Sequence, residues 1–99
     1  MNIIFISQRQ ITTKLPLIWI NTTITFIDDY HLKTNDKLYQ FDYLIIDDLS
    51  LILNITKLNI LIDDDKLVTN CYFQTSLEHI YYLDNQDINI IINHLLFKE

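Results

Sequence analysis

The chain has 99 residues and a mass of 11.9 kDa, the size of one domain, and we expect residues 1–99 to form it. It contains no glycine, which excludes the glycine-rich loops that hold phosphates, dinucleotides or a nucleophilic serine. Its formal net charge of −6 argues against nucleic acid or an anionic membrane as a direct partner, because both attract basic surfaces.

Short segments rich in β-branched and aromatic residues dominate the first four fifths of the chain. They predict strands at residues 2–7, 17–20, 23–27, 38–41, 43–46, 51–55 and 58–62. Residues 67–73 should be extended, and residues 76–83 fit either a short helix or a strand. Since glycine is absent, Asn and Asp are expected wherever the backbone needs a positive φ.

The carboxyl-terminal segment has a different periodicity. Its apolar residues fall at helical spacing, namely Ile88, Ile91, Ile92, Leu95 and Leu96. This spacing predicts an amphipathic helix over about 86–97, packed on the sheet by its apolar face. The expected fold is therefore α+β: one small, mostly β domain with about four to six strands and this helix.

The cellular location is predicted from what the sequence lacks. Cys71 is the only cysteine, so no internal disulfide can form, and this suits a reducing compartment. The first residues lack the basic and apolar regions of a signal peptide, and no apolar run is long enough to span a membrane. We therefore expect a cytoplasmic protein.

Aspartates directly follow three of the apolar segments. These are Asp28 and Asp29, then Asp47 and Asp48, then Asp63, Asp64 and Asp65. If the three segments were parallel strands, their carboxyl ends would gather carboxylates at one edge, where oxygen ligands could bind Mg²⁺ or Ca²⁺. Aspartate-filled polar turns explain the same pattern, and we predict no metal site.

The same three blocks share the pattern Ile-Asp-Asp-x-x-Leu-x-x-Asn, at residues 27–35, 46–54 and 62–70. This pattern resembles the core of a leucine-rich repeat. The blocks begin 19 and 16 residues apart, which is shorter than the about 20–29 residues that such a repeat needs.

A second resemblance concerns cofactor binding. Residues 41–46, and residues 75–76 with 80–84, are similar to two strands of the flavin-binding half of pyridine-nucleotide-disulfide oxidoreductases. The resemblance implies FAD, but every glycine of those motifs is absent, and residues 7–10 stand where the phosphate turn would be. It therefore implies at most a degenerate flavoprotein, and we predict no cofactor.

The sequence offers little support for catalysis. His31, His79 and His94 are dispersed, and neither they nor Cys71 show the spacing of zinc ligands. A single cysteine is more often a small apolar residue than a nucleophile. We therefore predict no catalytic residues and no enzymatic activity.

The leading hypothesis is an acidic, non-catalytic protein-binding module. It would be an inhibitor or immunity-type protein that occludes a basic partner, such as a nuclease toxin or another nucleic-acid-handling protein. The candidate contacts are Asp28, Asp29, Tyr30, Asp47, Asp48, Asp63, Asp64 and Asp65, with Tyr30 as the aromatic anchor. The alternatives are a structural small subunit of a larger assembly, or a degenerate flavoprotein or leucine-rich-repeat-like remnant.

Overall fold

A four-stranded parallel sheet forms the centre of the fold in a computed structural model, which describes residues 1–98. In spatial order its strands are β2 (Ile18–Ile20), β1 (Ile3–Ile6), β6 (Tyr43–Ile46) and β9 (Ile80–Tyr82). Both faces of this sheet are covered. The three strands β1, β6 and β9 are therefore continuous apolar runs instead of alternating ones.

One face of the parallel sheet carries the carboxyl-terminal helix α1 (Asn89–Lys98). The helix packs Ile88, Ile91, Ile92 and Leu95 against the sheet, and all four are buried. The sheet residues in this layer are Ile3, Phe5, Ile45 and Tyr81, which alternate with the residues of the opposite face. The helix thus covers the sheet with the apolar face that the sequence predicts.

The opposite face is covered by an antiparallel meander of β3 (Thr25–Asp28), β4 (His31–Lys33) and β5 (Leu38–Gln40). Phe26 and Leu32 of the meander are buried in the same core as Ile4, Leu44 and Ile80 of the parallel sheet. A two-stranded hairpin, β7 (Ile62–Asp63) and β8 (Lys66–Leu67), completes this layer. The fold is therefore a parallel sheet between one helix and a layer of antiparallel strands.

The predicted α+β class is confirmed, and the predicted helix over 86–97 is observed at Asn89–Lys98. The structure has nine short strands among the described residues, more than the four to six expected. The predictions of strands at 51–55 and 58–62 are wrong: short 3-10 turns lie at Leu49–Leu51 and Ile55–Lys57, Ile52 forms an isolated bridge with Ile24, and of residues 58–62 only Ile62 belongs to a strand, β7. Residues 76–83, left open between helix and strand, contain β9.

Positive φ angles occur mainly where the absence of glycine predicts them. Asp64 and Asp65 form the two-residue turn of the β7–β8 hairpin, and Asp84 and Asn85 follow β9. Phe73 is the fifth such residue, with φ of 62°. Two hydrogen bonds hold this unusual conformation: the Phe73 amide donates to the carbonyl oxygen of Asn70, and its carbonyl accepts from the amide of Tyr82.

Ile45→Ala tests the role of the central strand. Ile45 is fully buried in the layer between the parallel sheet and α1, so we expect the free energy of unfolding to fall by about 2–5 kcal/mol. Urea denaturation followed by circular dichroism measures it. Leu53→Ala is the control, because Leu53 is largely exposed and its loss should change stability by less than about 0.5 kcal/mol. If the two substitutions lowered the free energy of unfolding equally, the layered core would be contradicted.

Candidate functional site

Polar residues follow the carboxyl ends of three of the parallel strands and lie along one edge of the sheet. Ser7 follows β1, Asp47 follows β6, and Asp84 follows β9. Strand β1 lies between β2 and β6, so the carboxyl end of β1 has a neighbouring strand on each side. In open sheets of this kind, ligand sites form outside the carboxyl ends of strands at such a position. We call this region the carboxyl edge.

A buried carboxylate connects the three strand ends. Asp47 is 2% exposed, and its Oδ2 accepts hydrogen bonds from Ser7 Oγ at 2.5 Å and from Arg9 Nε at 2.7 Å. Its Oδ1 accepts from Arg9 Nη2 at 3.0 Å and from the backbone amide of Asn85 at 2.9 Å. The guanidinium also donates to the carbonyl oxygen of Gln86 at 2.9 Å. One ion pair therefore joins segments from the two ends of the chain.

The electrostatics of Asp47 reflect two opposing effects. Burial raises its pKa, but the hydrogen bonds from Arg9, Ser7 and the Asn85 amide outweigh burial, and the pKa lies below the ordinary value. Asp47 in turn raises the pKa of Arg9, mainly through their hydrogen bonds. The carboxylate is therefore held in its charged form and serves as a structural acceptor.

Arg9 occupies the place where the resemblance to flavin-binding proteins puts a phosphate turn. Its guanidinium spans the ends of β6 and β9, because it contacts both Asp47 and the Gln86 carbonyl. A dinucleotide phosphate at this position would have to displace that ion pair. The residues present therefore do not fit the cofactor that the resemblance implies.

Further exposed and half-exposed carboxylates lie in the loops after β6 and β9 and in the β7–β8 hairpin, which Lys66 joins to Asp84. They are Asp48, Asp63, Asp64, Asp65, Asp84 and Asp87, and we call them the acidic edge. The β7–β8 hairpin reaches this edge because Lys66 Nζ donates to Asp84 Oδ2 at 3.0 Å. Asp87 follows Gln86, the residue whose carbonyl oxygen accepts from Arg9.

Most carboxylates of the acidic edge have no basic partner among residues 1–97. Among the described residues, Arg9 and Lys66 are the basic side chains paired with carboxylates here, and each is already held by one, Asp47 or Asp84. The other carboxylates have no basic side chain of residues 1–97 within ion-pair distance: Asp48, Asp63, Asp64, Asp65 and Asp87. Asp48 instead accepts from Gln8 and from Ser50.

Tyr82 is sensitive to this negative charge. Burial, followed by the charges of Asp84, Asp48 and Asp47, raises the pKa of Tyr82 to about 12. Two carboxylates of the acidic edge, Asp48 and Asp84, therefore lie close enough to the same side chain to raise its pKa, although burial is the larger cause.

The structure separates the sequence-predicted contact residues into two groups. Asp48 and the hairpin aspartates lie on the acidic edge, whereas Asp28, Asp29 and Tyr30 lie at the opposite, amino edge of the parallel sheet. Tyr30 stacks on His79, which directly precedes β9, with ring centroids 4.3 Å apart. Asp28 accepts from the Tyr30 amide and from His31 Nδ1, contacts that lower its pKa.

The position of Asp47 does not suit the partner contact that we predicted for it. We expected it to contact a partner, but it is buried, and Ser7, Arg9 and Asn85 already donate to both of its oxygens. Asp47 stabilises the carboxyl edge from inside the fold, because it accepts hydrogen bonds from the segments after β1 and β9. Tyr30 likewise cannot anchor a partner on the acidic edge, because it lies at the other end of the sheet.

The three aspartate-bearing blocks do not converge. Their strands belong to three different sheets, the meander, the parallel sheet and the β7–β8 hairpin, so the blocks are not successive turns of one repeat. Among residues 1–98, no three His, Cys, Asp or Glu side chains are arranged to hold a metal ion. The carboxylates of the acidic edge are therefore spread over a surface.

Sequence reasoning missed Ser7 and Arg9 as partners of Asp47, and Asp84 and Asp87 as members of the edge. Arg9 is the only arginine in the chain and directly follows the first predicted strand, a signal that could have drawn attention to it. Nothing in the spacing indicated its partner, 38 residues away.

The chain was compared with protein-family models, with curated proteins and with solved structures, and none of the three comparisons found a significant match. In the described part of the chain, the only α-helix has ten residues, too few to cross a membrane.

Asp47→Asn tests the buried ion pair. We expect the free energy of unfolding to fall by about 2 kcal/mol at neutral pH, because hydrogen bonds to a charged group are lost. The folded-state pKa of Asp47 is lowered, so its contribution is complete above the unfolded value of about 3.9 and is lost as the pH falls through the folded value. The wild type and the variant should therefore converge in strongly acidic solution.

Urea denaturation at a series of pH values measures this difference. Asp36→Asn is the control, since Asp36 is exposed in a loop and the substitution should cost less than about 0.5 kcal/mol. A difference between wild type and Asp47→Asn that stays constant down to about pH 2 would show that the charge of Asp47 is not what stabilises the fold.

Proposed function

We propose that the protein is a non-catalytic binding module that inhibits a basic protein by covering its surface with the acidic edge. The observation that carries this proposal is the concentration, at one end of the sheet, of carboxylates that have no basic partner among residues 1–97. A nuclease toxin or another nucleic-acid-handling protein is the partner class we favour, because its phosphate-binding groove is basic. We place this interaction in the cytoplasm.

The arrangement of the carboxylates supports a protein partner over a metal ion. A cation needs several oxygens converging on one point, whereas these carboxylates lie on a hairpin and on the loops after β6 and β9. A basic groove presents several separated cations and can engage such a surface at many points. Spread charge also steers diffusional encounter and so accelerates association.

The hairpin is well suited to present its charge. Asp64 and Asp65 form a two-residue turn, and the β7–β8 pairing places Asp63 opposite Lys66. Aspartate has a short side chain and loses little conformational entropy when a partner fixes it. The Lys66–Asp84 ion pair ties the hairpin to the rest of the edge, so the carboxylates form one surface before binding.

A matched pair of triple variants tests the proposal. Asp63→Asn, Asp64→Asn and Asp65→Asn together remove three charges from the acidic edge, and Asn still tolerates the positive φ of the turn. Asp28→Asn, Asp29→Asn and Asp36→Asn together remove the same charge elsewhere. A basic protein captured from the source cells by the tagged wild type should bind the first variant at least about tenfold more weakly and the second nearly normally.

The captured protein then provides the functional assay. Stoichiometric addition of the wild-type chain should abolish its nuclease or nucleic-acid-binding activity, and the hairpin variant should inhibit less. Equal binding by the two triple variants would contradict the role of the acidic edge. Capture of a large assembly that inhibits nothing would favour the structural-subunit alternative.

Ionic strength gives a separate prediction. Binding through exposed carboxylates should weaken as salt rises, because the screening length falls from about 10 Å at 0.1 M to about 3 Å at 1 M. Calorimetric titration of the captured protein at a series of salt concentrations measures this dependence. The hairpin variant should show a shallower salt dependence than the wild type, while unchanged affinity across the series would rule out an electrostatic interface.

A further inference from the structure

The only tryptophan of the chain, Trp19, keeps part of its ring at the surface. It lies on β2, at one side of the parallel sheet, and is 38% exposed. Its indole Nε1 donates a hydrogen bond to the carbonyl oxygen of Ser7 at 3.0 Å. Because this hydrogen bond satisfies the polar group of the ring and fixes its orientation, the exposed part of Trp19 is an aromatic surface that is ordered before any partner binds.

Ser7 connects Trp19 to the buried ion pair of the carboxyl edge. The Ser7 hydroxyl donates to Asp47, and the Ser7 amide donates to the carbonyl oxygen of Ile20, the residue after Trp19. The indole is therefore bound to the first residue after β1, at the end of the sheet that carries the acidic edge. Tyr30, the aromatic anchor expected from the sequence, lies at the other end.

The acidic edge begins close to this ring. Gln8, the residue after Ser7, donates from Nε2 to Asp48 Oδ2 at 2.7 Å. Strand β1 separates β2 from β6, and neighbouring strands lie about 4.8 Å apart, so the ends of β2 and β6 are about 10 Å from each other. An extended segment of a partner rises about 3.3 Å per residue, and side chains about three residues apart can therefore reach both Trp19 and Asp48.

We propose that Trp19 binds an arginine side chain of the basic partner, while the carboxylates of the acidic edge bind the partner's other cations. This inference rests on the proposed function and assigns the chemistry of one contact in it. Tryptophan is the aromatic residue that attracts a cation most strongly over its ring face. Arginine stacks on such a face better than lysine, because its guanidinium is planar and weakly hydrated.

The surroundings of Trp19 favour this occupant. Residues 1–26 contain no Asp or Glu, so the ring extends the edge with a contact that selects for arginine instead of with a further carboxylate. A nucleic-acid base could also stack on an indole, but its phosphates would meet the charge of Asp48 and of the rest of the acidic edge. A cation meets the opposite charge there, which attracts it.

Two peptides of equal charge test the proposal: hexa-arginine and hexa-lysine, each with blocked ends and a fluorescent label. The acidic edge attracts both, and only the arginine peptide should gain strongly from the indole. At low salt, Trp19→Leu should weaken the binding of hexa-arginine about two- to fivefold and the binding of hexa-lysine less. Fluorescence anisotropy of the labelled peptides measures these affinities, and urea denaturation checks that each variant folds.

Two further variants serve as controls. Tyr30→Leu also removes an exposed aromatic ring, but at the other end of the sheet, and it should leave both affinities unchanged. Trp19→Phe keeps an aromatic face without the N–H that bonds to Ser7, and it should retain part of the preference for arginine.

The wild-type chain supplies an independent measurement, since its tryptophan fluorescence comes from Trp19 alone. Unlabelled hexa-arginine should change this fluorescence as it binds, and hexa-lysine should change it less. Binding of hexa-arginine that leaves the fluorescence unchanged overturns the proposal. Equal effects of Trp19→Leu on the two peptides also overturn it.

The triple Asn variant of the β7–β8 hairpin separates this inference from the proposed function. It should weaken both peptides alike and make their binding less dependent on salt, whereas Trp19→Leu should leave the salt dependence unchanged. If the hairpin variant weakens binding and Trp19→Leu does not, the acidic edge stands and the arginine contact is wrong. If only Trp19→Leu weakens binding, the arginine contact stands and the role of the acidic edge is contradicted.

Discussion

The carboxylate of Asp47 is the constraint around which the carboxyl edge of the parallel sheet is built. A buried charge is tolerated only when donors satisfy it, and here a hydroxyl, a guanidinium and a backbone amide do so together. These donors come from the segments after β1 and β9. The contacts therefore fix where the two loops lie, and with them the exposed carboxylates of Asp48, Asp84 and Asp87.

Two neighbouring aspartates, Asp47 and Asp48, have different environments because only Asp47 takes part in this ion pair. Asp47 and Asp48 are neighbours after one strand, yet Asp47 points into the fold, while Asp48 is half-exposed and accepts from Gln8 and Ser50. The guanidinium of Arg9 forms an ion pair with Asp47 and donates a hydrogen bond to the Gln86 carbonyl oxygen. The edge thus keeps its negative character although the chain's only arginine lies in its midst.

Different surfaces of the fold carry chemically different side chains. Acidic residues concentrate at the carboxyl edge, the apolar side chains of Tyr72, Ile90 and Phe97 lie along the outside of α1, and Tyr30 packs on His79 at the amino edge. A protein of 99 residues cannot bury all its apolar groups, and some of them therefore stay exposed on the outside of this helix.

Local patterns in the sequence determined the fold class, the carboxyl-terminal helix and the residue types, Asp and Asn, found at every position of positive φ except Phe73. The spacing of Ile88, Ile91, Ile92 and Leu95 specifies a helix face, and in a chain without glycine only Asn and Asp readily take the left-handed turns. The sequence also identified part of the acidic edge, namely Asp48 and the hairpin aspartates.

Only the tertiary structure decided which aspartates share a surface. Asp28 and Asp48 both follow apolar strands, but the strand before Asp28 joins the meander, and the strand before Asp48 joins the parallel sheet. Strand pairing depends on contacts between residues far apart in the chain, such as Ile6 with Ile46, which no local pattern encodes. Burial of Asp47 and the opposite positions of Tyr30 and the acidic edge follow from that pairing.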